Sequence, residues 1–279
     1  MNLIISKYIG FCCGVSLAVD EILKNVDTEI KILEKIAHNE ILIKMLKTRK
    51  NIKFIRDVNE ATQGDTVVIR THGIKEQDFK KLIENKINII DKTCPNVKLI
   101  HLLAQKFNIE NKQFVLLGDK NHPEVISIVS RCKNTIVVDS INSAKNLISS
   151  VEFKKIYVAS QTTFDIQKYC EICEFLKKKI KDIKFYRTIC KDALNRQKEL
   201  IKIASKVDLI IIVGSKISSN STKLFEIAKK SGKEAVMVNE SKDLNFELLK
   251  NKDTVFISSG ASVMKETVYK LIDEIRHLS

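Results

Sequence analysis

Tryptophan is absent from this 279-residue chain, proline occurs twice and glycine eight times. So little proline leaves no proline-rich linker, and no serine-rich or low-complexity segment stands in for one, so any domains should pack tightly. No uninterrupted apolar run reaches the roughly 18 residues that a membrane-spanning helix needs, which argues against an integral membrane protein. The opening MNLIISKYIG is apolar, but Lys7 interrupts it and no small-residue cleavage site follows. It reads as a first strand rather than a signal peptide. Neither a Walker A loop nor a GxGxxG fingerprint occurs, so no nucleotide is implied.

Acidic residues are in deficit. Lys and Arg number 48 against 34 Asp and Glu, a formal charge of +14. A nucleic acid, a membrane surface or an anionic small molecule would each suit that charge. The basic residues are not interleaved with aromatics as a nucleic-acid face would require, and a general enrichment in Lys, Ile and Asn accounts for the excess. We therefore expect no nucleic-acid and no membrane partner. Seven cysteines, an odd count without an export signal, fit a reducing cytoplasm where thiols bind metal or do redox work.

What is present is alternation. Short apolar, β-branched runs predict strands at Leu3–Ser6, Lys31–Glu34, Lys53–Ile55, Thr66–Arg70 and Ile87–Asp91. Others follow at Gln113–Leu117, Thr135–Val138, Lys155–Ala159, Lys184–Tyr186, Leu209–Val213, Ala235–Val238 and Thr254–Ser258. Helical periodicity lies between them, as in Val97–Asn108, Ile166–Ile180, Leu194–Ser205, Thr222–Ser231 and Val263–Ile275. This pattern implies an α/β protein with parallel sheets covered by helices. The strands group in fours, with Leu3–Ser6 free to join the last group. Three small domains are expected: 13–94, 95–190, and 191–279 with 1–12.

Cys12, Cys94 and Cys190 share one context, each closing such a run and opening an amphipathic stretch, about one small domain apart. The carboxyl ends of strands are where open α/β sheets present ligands. Three thiolates there could converge on one metal centre with a position left open for substrate, a catalytic arrangement. The alternative is three buried thiols that happen to end strands. Cys170-Glu-Ile-Cys173 falls within a helical pattern with no strand before it, so it reads as helix packing rather than a redox motif. Cys13 adjoins Cys12, and adjacent side chains cannot both reach one centre undistorted.

The same rim carries His38 in IAHNE, His72 in IRTHGI and His122 in GDKNHPEV. Three histidines there point to an anion or metal pocket, whereas mid-helix His101 and near-terminal His277 read as structural or solvated. Glu124, just after His122-Pro123, suits either proton delivery or a favourable place in a helix first turn. Hydroxyl-rich loops after strands, VGSKISSNSTKL, ISSGASVMKE and VASQTTF, could each be an ordinary helix cap. Together they suggest a di-anionic ligand held by backbone N–H groups and hydroxyls.

These strings, taken in order, resemble the 4-hydroxy-3-methylbut-2-enyl diphosphate reductase family, the last enzyme of the methylerythritol phosphate route to isoprenoids. They are GFCCGV, AHN, THG, DKTCP, HPEV, SQTT, TIC with NRQ, SSNS and GAS, and they run from residue 10 to 262. The resemblance implies three α/β domains in pseudo-threefold array around a central 4Fe–4S cluster. It implies Cys12, Cys94 and Cys190 as cluster ligands, leaving one iron open. His38, His72, Ser218, Ser219, Asn220 and Ser262 would form the diphosphate pocket. His122 and Thr162 would contact substrate near the allylic alcohol, and Glu124 would donate the proton. The partners it implies are an allylic diphosphate substrate and a one-electron donor protein of ferredoxin or flavodoxin type. Two loops depart from the family pattern, with Ile217 after Lys216 where Asn is frequent, and Val263-Met264 where a proline is usual. Apart from the resemblance, the cysteines also suit a non-catalytic iron–sulfur or zinc sensor, which would need a fourth ligand and no phosphate pocket.

Overall fold

The structure, a computed structural model, describes residues 1–24, 28–36, 39–150 and 155–277. Its strands, in chain order, are β1 (Asn2–Ile5), β2 (Ile30–Leu33), β3 (Ile52–Ile55), β4 (Thr66–Ile69), β5 (Asn88–Asp91) and β6 (Gln113–Leu117). They continue with β7 (Thr135–Val138), β8 (Ile156–Ser160), β9 (Ile183–Phe185), β10 (Leu209–Val213), β11 (Glu234–Val238) and β12 (Thr254–Ser259). They form three four-stranded, all-parallel sheets, ordered β1-β12-β10-β11, β3-β2-β4-β5 and β7-β6-β8-β9. The α/β class and the grouping in fours are as the sequence predicts. The first strand does join the last group, pairing in register with β12 from Asn2 opposite Thr254 to Ile5 opposite Ile257.

Each sheet repeats one topology. The chain lays a second strand on one flank of the first, then crosses to the other flank for the third and fourth, β1 serving as the fourth strand of its sheet. The switch points therefore lie at β2/β4, β6/β8 and β10/β12, where open α/β sheets leave a crevice. Why these segments are strands is clearest in β10, LIIIV, buried along its whole length because helices cover both faces. Its side chains alternate by the period of two. Leu209, Ile211 and Val213 pack with Val255, Ile257 and the helix Lys265–His277, while Ile210 and Ile212 pack with Phe256, Leu200 and Leu224 on the opposite face.

The chain divides into two compact units. One comprises Met1–Ser16, Ala37–Leu46 and Lys191–Ser279 and holds the β1-β12-β10-β11 sheet; the other comprises Leu17–Ile36 and Lys47–Cys190 and holds the other two. Among the described residues, no helix is long and apolar enough to cross a membrane.

Candidate active site

The repeated topology gives each cysteine the same local setting. Cys94 follows β5, Cys190 follows β9 and Cys12 follows β1, each the fourth strand of its sheet. In each case the cysteine N–H donates to the loop after the third strand. Cys94 bonds the Thr71 carbonyl at 3.0 Å, Cys190 that of Thr162 at 2.8 Å and Cys12 that of Ala261 at 2.9 Å. Each cysteine is thereby fixed beside a residue singled out for substrate binding: His72, Thr162 or Ser262. None of the three is in a disulfide, and all three are half-buried.

In the larger unit, Asn96 joins two of them. Its Nδ2 lies 3.4 Å from Cys190 Sγ and 3.9 Å from Cys94 Sγ, so sulfurs from two different sheets face one amide. Burial pushes the Cys94 thiol pKa up, and the charges of Cys190 and Glu124 add to it against the pull of the Asn96 N–H. Burial thus disfavours the Cys94 thiolate, which the positive irons of a metal cluster would favour. Among the described residues no three His, Cys, Asp or Glu side chains converge closely enough to hold a single metal ion. A polynuclear cluster asks something different, spreading its thiolates over separate irons.

Glu124 is a buried acid held at both carboxylate oxygens. It sits in the first turn of the helix Pro123–Val129 and is 1% exposed. Its carboxylate turns away from that helix end to Thr162, which donates its N–H to Oε1 at 2.6 Å and its hydroxyl to Oε2 at 2.7 Å. Burial drives its pKa up to about 7, even though both Thr162 bonds pull it down. His122 caps the helix by accepting the Glu124 N–H on Nδ1 at 3.2 Å, which leaves the proton of the neutral ring on Nε2. The His122 and His72 rings meet edge to face, with centroids 5.2 Å apart. His72, His122, Glu124 and Thr162 thus gather with Cys94 and Cys190.

In the smaller unit the hydroxyl loops after β10 and β12 come together. Ser218 caps the helix Ser219–Lys230, and Ser262 Oγ lies 3.4 Å from Ser218 Oγ. Asn39 donates Nδ2 to the Ser262 carbonyl at 2.7 Å. Ser219 opens the helix, and Asn220 in the same turn is 4% exposed with neither amide atom partnered among the described residues. A buried amide without a partner costs free energy unless something polar binds there. His38 lies outside the described residues.

Sequence reasoning missed several residues that hold these loops. Arg196, 2% exposed, pairs with Asp192 at 2.7 Å and donates to the carbonyls of Tyr8, Gly10 (3.0 Å) and Ser259 (2.9 Å), fixing the approach to Cys12. It belongs to the NRQ string, but nothing in the spacing tells that a guanidinium will reach three carbonyls. Asn96, one residue past Cys94-Pro95, gave no signal either. Cys170 and Cys173 lie in the helix Ile166–Lys179, one exposed and one buried, while Cys13 is exposed and Cys132 buried.

The LytB protein family model matches residues 3–276. The 4-hydroxy-3-methylbut-2-enyl diphosphate reductase of Caldanaerobacter subterraneus subsp. tengcongensis is 33% identical over 285 residues, covering 100% of this chain and 98% of that protein. The enzyme of the same name from Campylobacter hominis is 34% identical over 276 residues, covering 99% and 98%. Among solved structures, the E-1-hydroxy-2-methyl-but-2-enyl-4-diphosphate reductase from Plasmodium falciparum is similar, with a TM-score of 0.91 at 33% identity, covering 98% of this chain and 87% of that one. A second is (E)-4-hydroxy-3-methyl-but-2-enyl diphosphate reductase, described as the terminal enzyme of the non-mevalonate pathway. It has a TM-score of 0.70 at 29% identity and covers 99% of both chains.

Proposed function

The chain belongs to the LytB protein family, and we infer that it reductively dehydroxylates (E)-4-hydroxy-3-methylbut-2-enyl diphosphate to isopentenyl and dimethylallyl diphosphate. The reaction consumes two electrons and two protons and releases the hydroxyl as water. The observation that carries the reading is the Glu124–Thr162 pair, a buried acid poised near neutrality within the electrostatic reach of Cys94.

Cys12, Cys94 and Cys190 would hold a 4Fe–4S cluster, and the two thiols facing Asn96 support that donor set. When bound, the cluster supplies one-electron transfer and Lewis acidity at the iron that has no cysteine. The rest falls to the chain's own groups. Ser218, Ser219, Asn220 and Ser262, with His38 and His72, bind the diphosphate, so binding energy far from the reacting carbon places that carbon. His122 and Thr162 bracket the allylic alcohol, with His122 offering its Nε2–H. Glu124 delivers a proton through the Thr162 hydroxyl, a donor whose pKa matches the working pH. A proton added at either end of the allyl system decides between the two products. The three sheets are taken as the cores of segments 13–94, 95–190 and 191–279 with 1–12. The electrons come from a small one-electron donor protein of ferredoxin or flavodoxin type, and the enzyme works in the cytoplasm.

The test is anaerobic absorption of the reconstituted protein with and without the allylic diphosphate, followed by turnover with an artificial reductant. A spectral change with formation of both products is expected, and a sensor would give neither. Glu124→Gln should keep the iron content and lose about 100-fold or more in turnover; full activity in that variant removes Glu124 from proton delivery.

A further inference from the structure

His101, read from the sequence as structural or solvated, lies at the centre of a buried clasp behind the residues that face substrate. It stands in the helix Pro95–Ile109, 7% exposed, and its Nε2 is 2.9 Å from Ser127 Oγ. The same hydroxyl lies 2.9 Å from the His72 carbonyl oxygen and 2.8 Å from that of Glu124. Carbonyls only accept, so the single Ser127 proton goes to one of them and Oγ must accept from His101. That puts the proton of the neutral His101 ring on Nε2. Burial, with Arg131 adding to it, drives the His101 pKa down to about 3, so the ring stays uncharged.

Packing makes the same connection. Gly73 has φ +73°, and a Cβ there would stand 2.7 Å from His101 Cε1, so the loop after β4 lies directly on the ring edge. Arg131 closes the clasp from the other side. Its Nη1 donates to the Ile74 carbonyl at 2.9 Å and also to that of Ser127. The loop carrying His72 is thus tied to the helix carrying Glu124 by groups that do not themselves face the carboxylate.

We propose that His101 is a positioning residue for substrate binding, setting through Ser127 where the His72 ring stands relative to His122. This rests on the reading that His72 binds the diphosphate and Glu124 supplies the proton. The link across segments runs to the His72 carbonyl, whereas Glu124 keeps its own Thr162 bonds. Loosening the clasp should therefore weaken binding more than chemistry.

Three variants of the cluster-loaded enzyme test this. His101→Phe keeps a ring without the donor, His101→Gln restores an N–H near the Nε2 position, and Ser127→Ala removes the acceptor. In His101→Phe and Ser127→Ala, KM for the allylic diphosphate should rise about tenfold with kcat within about threefold of the parent, and His101→Gln should recover most of the KM. Amides of 71–75 should exchange hydrogen faster in the first two and not in the third. Unchanged KM, unchanged exchange, or a Gln variant as impaired as Phe each overturns the inference. Should His101→Phe fail to fold, Ser127→Ala decides alone. Glu124→Gln run alongside separates the failures: if it keeps full kcat, the catalytic reading has failed, while the clasp is still judged by KM and exchange.

Discussion

At the scale of single residues, Glu124 carries the sharpest consequence. Burial raises its pKa from an ordinary 4.5 to about 7, so the fold favours the protonated acid. The acid is therefore protonated below about pH 7 and ionises as pH rises through that value. If delivery of this proton limits turnover, kcat should fall about tenfold per pH unit above 7 and flatten below it. Glu124→Gln should show a low rate with no such inflection. A wild-type profile that stays level to pH 9 would contradict the assignment. Linkage has the same direction. The stability contributed by the protonated form is complete below pH 4.5 and gone above about 7. The sequence offered two roles for Glu124, and its place in a helix first turn fits both. The contact that bears on the choice comes from Thr162, 38 positions away, which no local spacing could reveal.

Among the elements, the hydroxyl loops of the smaller unit depend on one close approach. Ser221, fully buried, lies between Gly214 after β10 and Gly260 after β12. A Cβ on Gly260 would stand 2.0 Å from Ser221 Oγ and 3.2 Å from its Cβ, and one on Gly214 2.3 Å from Oγ. These glycines are required by space and not by a left-handed backbone, since neither has positive φ. Gly260→Ala should therefore cost about 2 kcal/mol in denaturant unfolding, as overpacking does. Combining it with Ser221→Gly should recover most of that cost, a coupling expected only of touching residues. Additive losses in the double variant would show that the contact is not the cause. The sequence places both glycines at the ends of apolar strands before polar runs, where a backbone must turn sharply or approach a ligand closely. It could not name the partner, since Ser221 reads as one more hydroxyl in a helix first turn.

For the molecule as a whole, the sheets were the most legible feature. All twelve expected strands are present with ends within one residue, because each is a short run rich in apolar, β-branched residues. Helix starts were harder. Those at Pro95, Lys191 and Ser219 lie two or three residues before the expected starts at Val97, Leu194 and Thr222, since a first turn is polar and carries no period. The last helix errs the other way, because Val263 packs in the core from a turn and only resembles a helical position. Asn96, His101, Ser127, Arg131 and Arg196 escaped for a different reason. Each acts on groups distant in sequence, and only the fold assembles them. The charge of +14 was legible but ambiguous, and it yields a prediction of its own. A net field of that size acts on any approaching macromolecule without needing a patch. With an acidic one-electron donor protein, kcat/KM should fall about tenfold between roughly 0.05 and 0.5 M salt, as steered association does when the Debye length shrinks. A small cationic reductant, which the field repels, should not slow over the same range. Equal salt dependence for both donors would mean that the charge reflects composition alone and that the donor docks without electrostatic help.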